Sequence, residues 1–112
     1  MAGQVYTYTP NNAWNNTAVT PGNNSATVTL PGGHIVVVAS GHINSGGPLT
    51  FALQVSNDNF SSDSVTLTSL SINSGEDFVL SAPPSSGRNS ARLNVTSGSG
   101  NVSASIIGYQ AG

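Results

Sequence analysis

Six side chains carry formal charge in this 112-residue sequence: Asp58, Asp63, Glu76, Asp77, Arg88 and Arg92, with His34 and His42 as the two histidines. General acid–base chemistry needs two titratable groups aimed at one reacting bond. Glu76 and Asp77 are adjacent and follow the turn-like Asn73-Ser74-Gly75. Adjacent strand residues point to opposite faces, so this pair reads as solvated turn carboxylates. Asn57-Asp58-Asn59-Phe60-Ser61-Ser62-Asp63 has enough oxygens to resemble a weak calcium loop. It lacks the sixth-position glycine and the distal bidentate glutamate of an EF-hand. Asp and Asn also close tight turns on their own backbone, and turn formation is the favoured reading. His34 and His42 flank an apolar run; at about 3.3 Å per residue a straight strand holds them too far apart to share a metal. There is no cysteine nucleophile, and 18 serines with two histidines give a Ser-His-Asp triad no specificity. No residue is assigned a catalytic, metal-binding or cofactor-binding role, and the chain is expected not to be an enzyme.

The balance of charge narrows the partners. Charged residues make up 5% of the chain, net charge is −2, and there is no lysine; an average domain has about 25% charged residues. Phosphate contacts normally require Lys or Arg, so nucleic acid is not an expected partner. Polybasic attraction to a membrane surface fails for the same reason. Instead, Ser, Asn, Gly and Thr account for 54 of the 112 residues. Hydrophobic residues still reach 37%, clustered in β-branched runs, which argues for a folded chain. A chain of this length buries roughly two thirds of its surface as one domain. With no cysteine it has no disulfide framework. Met1-Ala2-Gly3-Gln4-Val5-Tyr6-Thr7 has neither the basic region nor the apolar run of a signal peptide, and the expectation is synthesis in a cytoplasm.

Period-2 alternation supplies the elements. Leu49, Phe51, Leu53 and Val55 interleave with Thr50, Ala52, Gln54 and Ser56. The same pattern marks Ala91-Leu93-Val95, Val102-Ala104-Ile106 and Phe78-Leu80, while Ile35 to Ala39 is apolar on both faces and reads as a central strand. Val5 to Thr9, Ala26 to Leu30 and Val65 to Ile72 are weaker candidates. In the last of these the apolar phase slips between Val65/Leu67 and Leu70/Ile72, the signature of a β-bulge. Turn clusters separate the runs, among them Pro31-Gly32-Gly33, Gly46-Gly47-Pro48 and Pro83-Pro84-Ser85-Ser86-Gly87. The fold class is therefore all-β: a single β-sandwich, jelly-roll or immunoglobulin-like, of about eight short antiparallel strands. Residues 25–112 form the sandwich. Residues 1–24 are an N-terminal arm or irregular first strands, because Tyr8 to Gly22 is too irregular for a regular strand.

Among the aromatics, Phe51 and Phe78 fall on apolar faces and belong to the core. Trp14 sits among asparagines, as a core plug at one end of the sandwich or as an exposed contact; core or subunit interface is preferred over a sugar-binding platform. Tyr6, Tyr8 and Trp14 are the candidate partner contacts. Exposed faces of Ser, Thr and Asn lose little rotamer entropy when a partner orders them. No lysine guards an edge strand. Such a surface suits a component of a durable assembly.

Leu49-Thr50-Phe51-Ala52-Leu53-Gln54-Val55-Ser56-Asn57-Asp58-Asn59-Phe60 is similar to a strand phrase of small β-sandwich proteins of tailed-phage virions, in which an apolar-x-Leu-Gln-x-Ser-Asn-Asp strand runs into a turn. Thr27 to Gly33 and Val102 to Tyr109 also resemble such proteins, while Asn59 stands where a glycine often follows the aspartate. The resemblance implies a capsid decoration (cement) protein, a homo-oligomer and commonly a trimer, bound to the major capsid protein on the virion surface and made in the host cytoplasm. The alternative is a carbohydrate-binding or host-attachment module of a phage fibre or spike.

Overall fold

The computed structural model describes residues 11–30, 35–85 and 88–110. Eight strands follow one another: β1 (Asn11–Val19), β2 (Val28–Thr29), β3 (Ile35–Gly46), β4 (Leu49–Ser56), β5 (Val65–Ile72), β6 (Asp77–Ser85), β7 (Ser90–Ser97) and β8 (Gly100–Gln110). The alternations become burial of one face, to which β4 adds a buried Ala52 on its other face. Leu49, Phe51, Leu53 and Val55 of β4 meet Ala91, Leu93 and Val95 of β7 in one sheet; Ile35, Val37, Ala39 and Ile43 of β3 meet Val102, Ala104 and Ile106 of β8 in the other. Fully burying one such side chain contributes about 1.5–3 kcal/mol.

The sheets run β1-β8-β3-β6 and β2-β7-β4-β5, and every pairing is antiparallel. Only the β4–β5 connection stays within a sheet; each other step crosses the sandwich. Two interleaved four-stranded sheets in this order are a jelly roll. An immunoglobulin-like sandwich pairs its first two strands in one sheet; here β1 and β2 lie in opposite sheets.

Three local features depart from or refine the sequence expectation. Residues 11–19, expected to be part of an arm or an irregular first strand, form β1 against β8, with register shifts at Asn12/Trp14 and Trp14/Thr17. Those bulges turn Ala13 and Trp14 inward together, which a regular strand cannot do. Second, β6 continues through Pro83-Pro84, expected to be a breaker. Because β6 is the edge of its sheet, proline removes no ladder bond from a second neighbour. Third, the phase slip in β5 is a bulge: Leu53 faces Thr68 while Gln54 faces Thr66, which leaves Leu67 unpaired. Val5 to Thr9, with Tyr6 and Tyr8, and likewise His34, fall outside the described residues.

One cross-strand row organises the core. Phe78 of β6, Gly41 of β3, Ala104 of β8 and Trp14 of β1 lie side by side. The two small residues leave the space that the flanking aromatics fill, and Phe51 closes it from the other sheet. Its ring stacks on Phe78 with centroids 4.8 Å apart and meets Trp14 at 5.6 Å, tilted by 44°.

Candidate functional site

The Ser56–Asp63 loop, the richest cluster of oxygens in the sequence, is closed on itself. Ser56 Oγ accepts from the backbone N–H groups of Asp58 and Phe60 at 3.1 and 2.8 Å and donates to Asp58 Oδ1 at 2.9 Å. Asp58 also accepts from Ser62 Oγ (2.6 Å), Ser62 N (3.0 Å) and Asp63 N (3.1 Å). Asp63 Oδ2 takes Asn57 N at 2.9 Å and Arg88 at 3.3 Å. The carboxylate oxygens face donors of their own loop and, at Asp63, the Arg88 guanidinium, which is the turn-forming role rather than a cation cage. Asn59 and Phe60 adopt left-handed φ of 58° and 62°, and the Arg92 guanidinium lies over the Phe60 ring at 4.0 Å.

The donors hold Asp58 ionised. The Ser62 hydroxyl foremost, then Ser56, pulls its carboxyl from 3.8 down to about 2. A folded-state value below the unfolded one stabilises the fold above the unfolded value, and that contribution fades as pH falls through the folded one. The stability gap between wild type and Asp58→Asn is therefore expected to be open near pH 5 and to narrow toward pH 2, read as urea midpoints. A gap independent of pH would remove Asp58 as the loop's anionic hub.

The remaining sequence candidates separate. Trp14 is 6% exposed and packs on Phe51, so its ring is a core plug and not an open platform for sugar or partner. Glu76 accepts from the backbone N–H of Asn73 at 3.1 Å and closes its turn. Asp77 reaches across to β3, with Oδ1 2.7 Å from His42 Nδ1. That pair joins residues 35 apart and is fixed by the β3–β6 register, which no local pattern announces.

The short polar side chains on the sheet faces are tied to one another across strands. Ser97, Thr50 and Ser71 form one row at 3.0 and 2.7 Å, and Arg92, Gln54 and Thr66 another at 3.0 and 3.4 Å. On the other sheet Asn44 donates to Asn16, Asn101 and Ser103.

The two flanks of the sandwich are unlike. On one flank β1 is bulged twice and carries a bond from Ala26 N to Ala13 O, while β2 is only two residues long. Short, bulged edges resist further pairing. On the other flank, β5 and β6 run for eight and nine residues as the last strands of their sheets. β5 is bulged once, at Leu67, and Pro83-Pro84 lie toward the end of β6, so the regular edge stretches are those after the bulge in β5 and before Pro83 in β6. Neither contains Lys or Arg. Leu70 (39% exposed) and Val79 (64%), the exposed large hydrophobic side chains among the described residues, lie on these two strands. Val79 stands beside an outward stripe in which half-buried Val38 faces Ile107.

No family model matches the chain, and no curated protein does. Among solved structures, a chain from Bacillus endospore appendages, described as a novel family of disulfide-linked pili, is similar over 100% of this chain and 96% of its own. The identity is 10% and the TM-score 0.43.

Proposed function

We propose that this protein is a non-enzymatic structural subunit that assembles with copies of itself and sits on a phage capsid as a decoration protein, gripping the major capsid protein between neighbouring capsid subunits. The open β5/β6 flank carries the assembly half: two long edges without a guarding cation, each with an exposed apolar side chain. Lysine on an edge strand is one guard against pairing, and this chain has none. The bulge in β5 and Pro83-Pro84 in β6 confine the expected pairing to the regular stretches 68–72 and 77–82. Setting β6 of one copy against β5 of the next is a heterologous contact, which makes a ring where the rotation closes; three copies are the expected ring. The capsid half rests on the resemblance of the β4 phrase to decoration proteins, and the jelly roll is an architecture that capsid domains also use.

Sedimentation of the full chain is expected to show a trimer, and Val79→Lys or Leu70→Lys is expected to shift it to monomer. Thr29→Lys, on the short β2 flank, is expected to leave it unchanged. With so few charges, retention on particles should hardly vary from roughly 0.05 to 1 M salt. A wild-type monomer would overturn the assembly half. Loss from particles as salt rises would overturn the capsid half.

A further inference from the structure

The bulge in β1 does more than turn Trp14 inward. It opens a groove of about 280 Å³ on the outer face of the β1-β8-β3-β6 sheet. Asn12, Trp14 and Asn15 form one wall, Ser103, Ala104 and Ser105 the floor, and Ser40, Gly41 and His42 the far wall. Bulges recur beside binding sites because they re-aim side chains and interrupt pairing. Here Ala13 and Trp14 both turn into the core, so no side chain stands between Asn12 and Asn15 above the floor.

The polar groups of the groove differ from their neighbours. Asn16, Asn44, Asn101 and Ser103 satisfy one another. The side chains of Asn12, Asn15, Ser40 and Ser105 have no hydrogen-bond partner among the described residues. His42 is held by Asp77 at Nδ1; a carboxylate only accepts, so Nδ1 carries a proton and Nε2 is left facing away from Asp77, an acceptor in the neutral ring and a donor in the charged one. The lining thus offers amides and hydroxyls, which donate and accept, and one oriented imidazole nitrogen. It contains no carboxylate and no Lys or Arg, so a cation finds no counter-charge there and an anion finds none of the permanent cations. The Trp14 ring is too buried to clasp an apolar guest.

We infer that this groove binds a neutral polyhydroxylated ligand, one sugar residue of a glycan, held by hydrogen bonds from Asn12, Asn15, Ser40, Ser105 and His42 rather than by stacking on an aromatic face. The volume, about 280 Å³, falls just below the roughly 300–1,000 Å³ usual for ligand pockets, which suits a single ring. An open groove of neutral contacts gives weak monovalent affinity, about 1 mM. Repetition of the site on an assembled particle would raise it through avidity. The site does not depend on the oligomeric state: a monomer that binds, or an oligomer that does not, separates this inference from the proposed function.

The test is an amide-resolved NMR titration of the full chain with methyl glucoside, methyl galactoside, methyl mannoside and N-acetylglucosamine, each to ~50 mM, far above the expected Kd. At least one is expected to shift the amides of Asn15, Gly41, Ala104 and Ser105 while leaving the β4–β5 hairpin still. The double variant Asn12→Ala/Ser105→Ala should weaken that binding about tenfold. Asn94→Ala, on the other sheet, should not change it. Absence of localised shifts with all four sugars overturns the inference. So do shifts that survive the double variant, or equal shifts from inorganic phosphate.

Discussion

Phe51→Ala is expected to destabilise the fold by about 3–5 kcal/mol, the range for deleting a buried phenyl ring. Phe51 has no exposed surface and, among the described residues, is the one aromatic in ring contact with both Trp14 and Phe78. Neither neighbour can move in to fill the space. Trp14 is fixed by the bulged pairing of β1 with β8, and Phe78 lies across Gly41. The cavity should persist, and the cost should sit toward the upper end of that range. Small domains have only about 5–15 kcal/mol in total, so the variant should remain folded but unfold at a much lower denaturant concentration. The single tryptophan is a built-in reporter, since its ring loses the tilted contact with Phe51. Urea unfolding followed by Trp14 fluorescence should show a lower midpoint with an unchanged slope. A cost below about 1 kcal/mol would mean that the two sheets close over the missing ring and that the aromatic cluster does not set their separation.

The same cluster shows what the sequence can and cannot disclose. Phe51 and Phe78 are legible as core because β4 and β6 each bury one face, and period-2 alternation reports that directly. Trp14 leaves its burial ambiguous because a bulge breaks the period where it matters: Ala13 and Trp14 face inward together, and asparagines surround them. The bulge in β5 announces itself because apolar residues stand on both sides of the slip. That of β1 has polar residues on both sides, so the pattern has no phase to lose. Pro83-Pro84 is a breaker in a central strand and harmless in an edge strand, and which of the two applies is a fact of topology. The His42–Asp77 pair and the groove over Trp14 depend on registers between strands far apart in sequence. The Ser56-Asn57-Asp58 phrase is legible as a turn, and its hydrogen bonds give a structural reason for those residue types: a hydroxyl and a carboxylate that collect the loop's N–H groups.

Gly41→Ala is expected to cost about 3 kcal/mol, the top of the usual range for overpacking, although it adds a single methyl group. Gly41 does not occupy the left-handed region, so conformational freedom is not its reason for being there. Its reason is close approach. A Cβ at this position would overlap the carbonyl oxygen of Ser103 and lie 2.8 Å from Phe78 Cζ and 2.9 Å from Ala104 Cα. Two of the three obstacles are backbone atoms of β8, which pairs with β3 along most of its length. A flexible side chain could rotate away, but a ladder strand cannot move without stretching hydrogen bonds on both sides. The third obstacle allows a separation of causes. Adding Phe78→Leu removes the ring atom in the way of the methyl but leaves Ser103 and Ala104 where they are. The double variant should therefore recover little of the loss, and the coupling energy between the two sites should be small beside the single cost of Gly41→Ala. Gly75, whose Cβ would meet nothing within 4 Å, is the control for a glycine required by φ alone: Gly75→Asn, a residue that tolerates φ near 78°, should be nearly neutral. Urea midpoints for the four variants and wild type decide the matter. If Phe78→Leu restores most of the loss, the constraint at Gly41 is the aromatic ring. If Gly41→Ala alone costs less than about 0.5 kcal/mol, β3 and β8 are not held as closely at this row as their pairing implies.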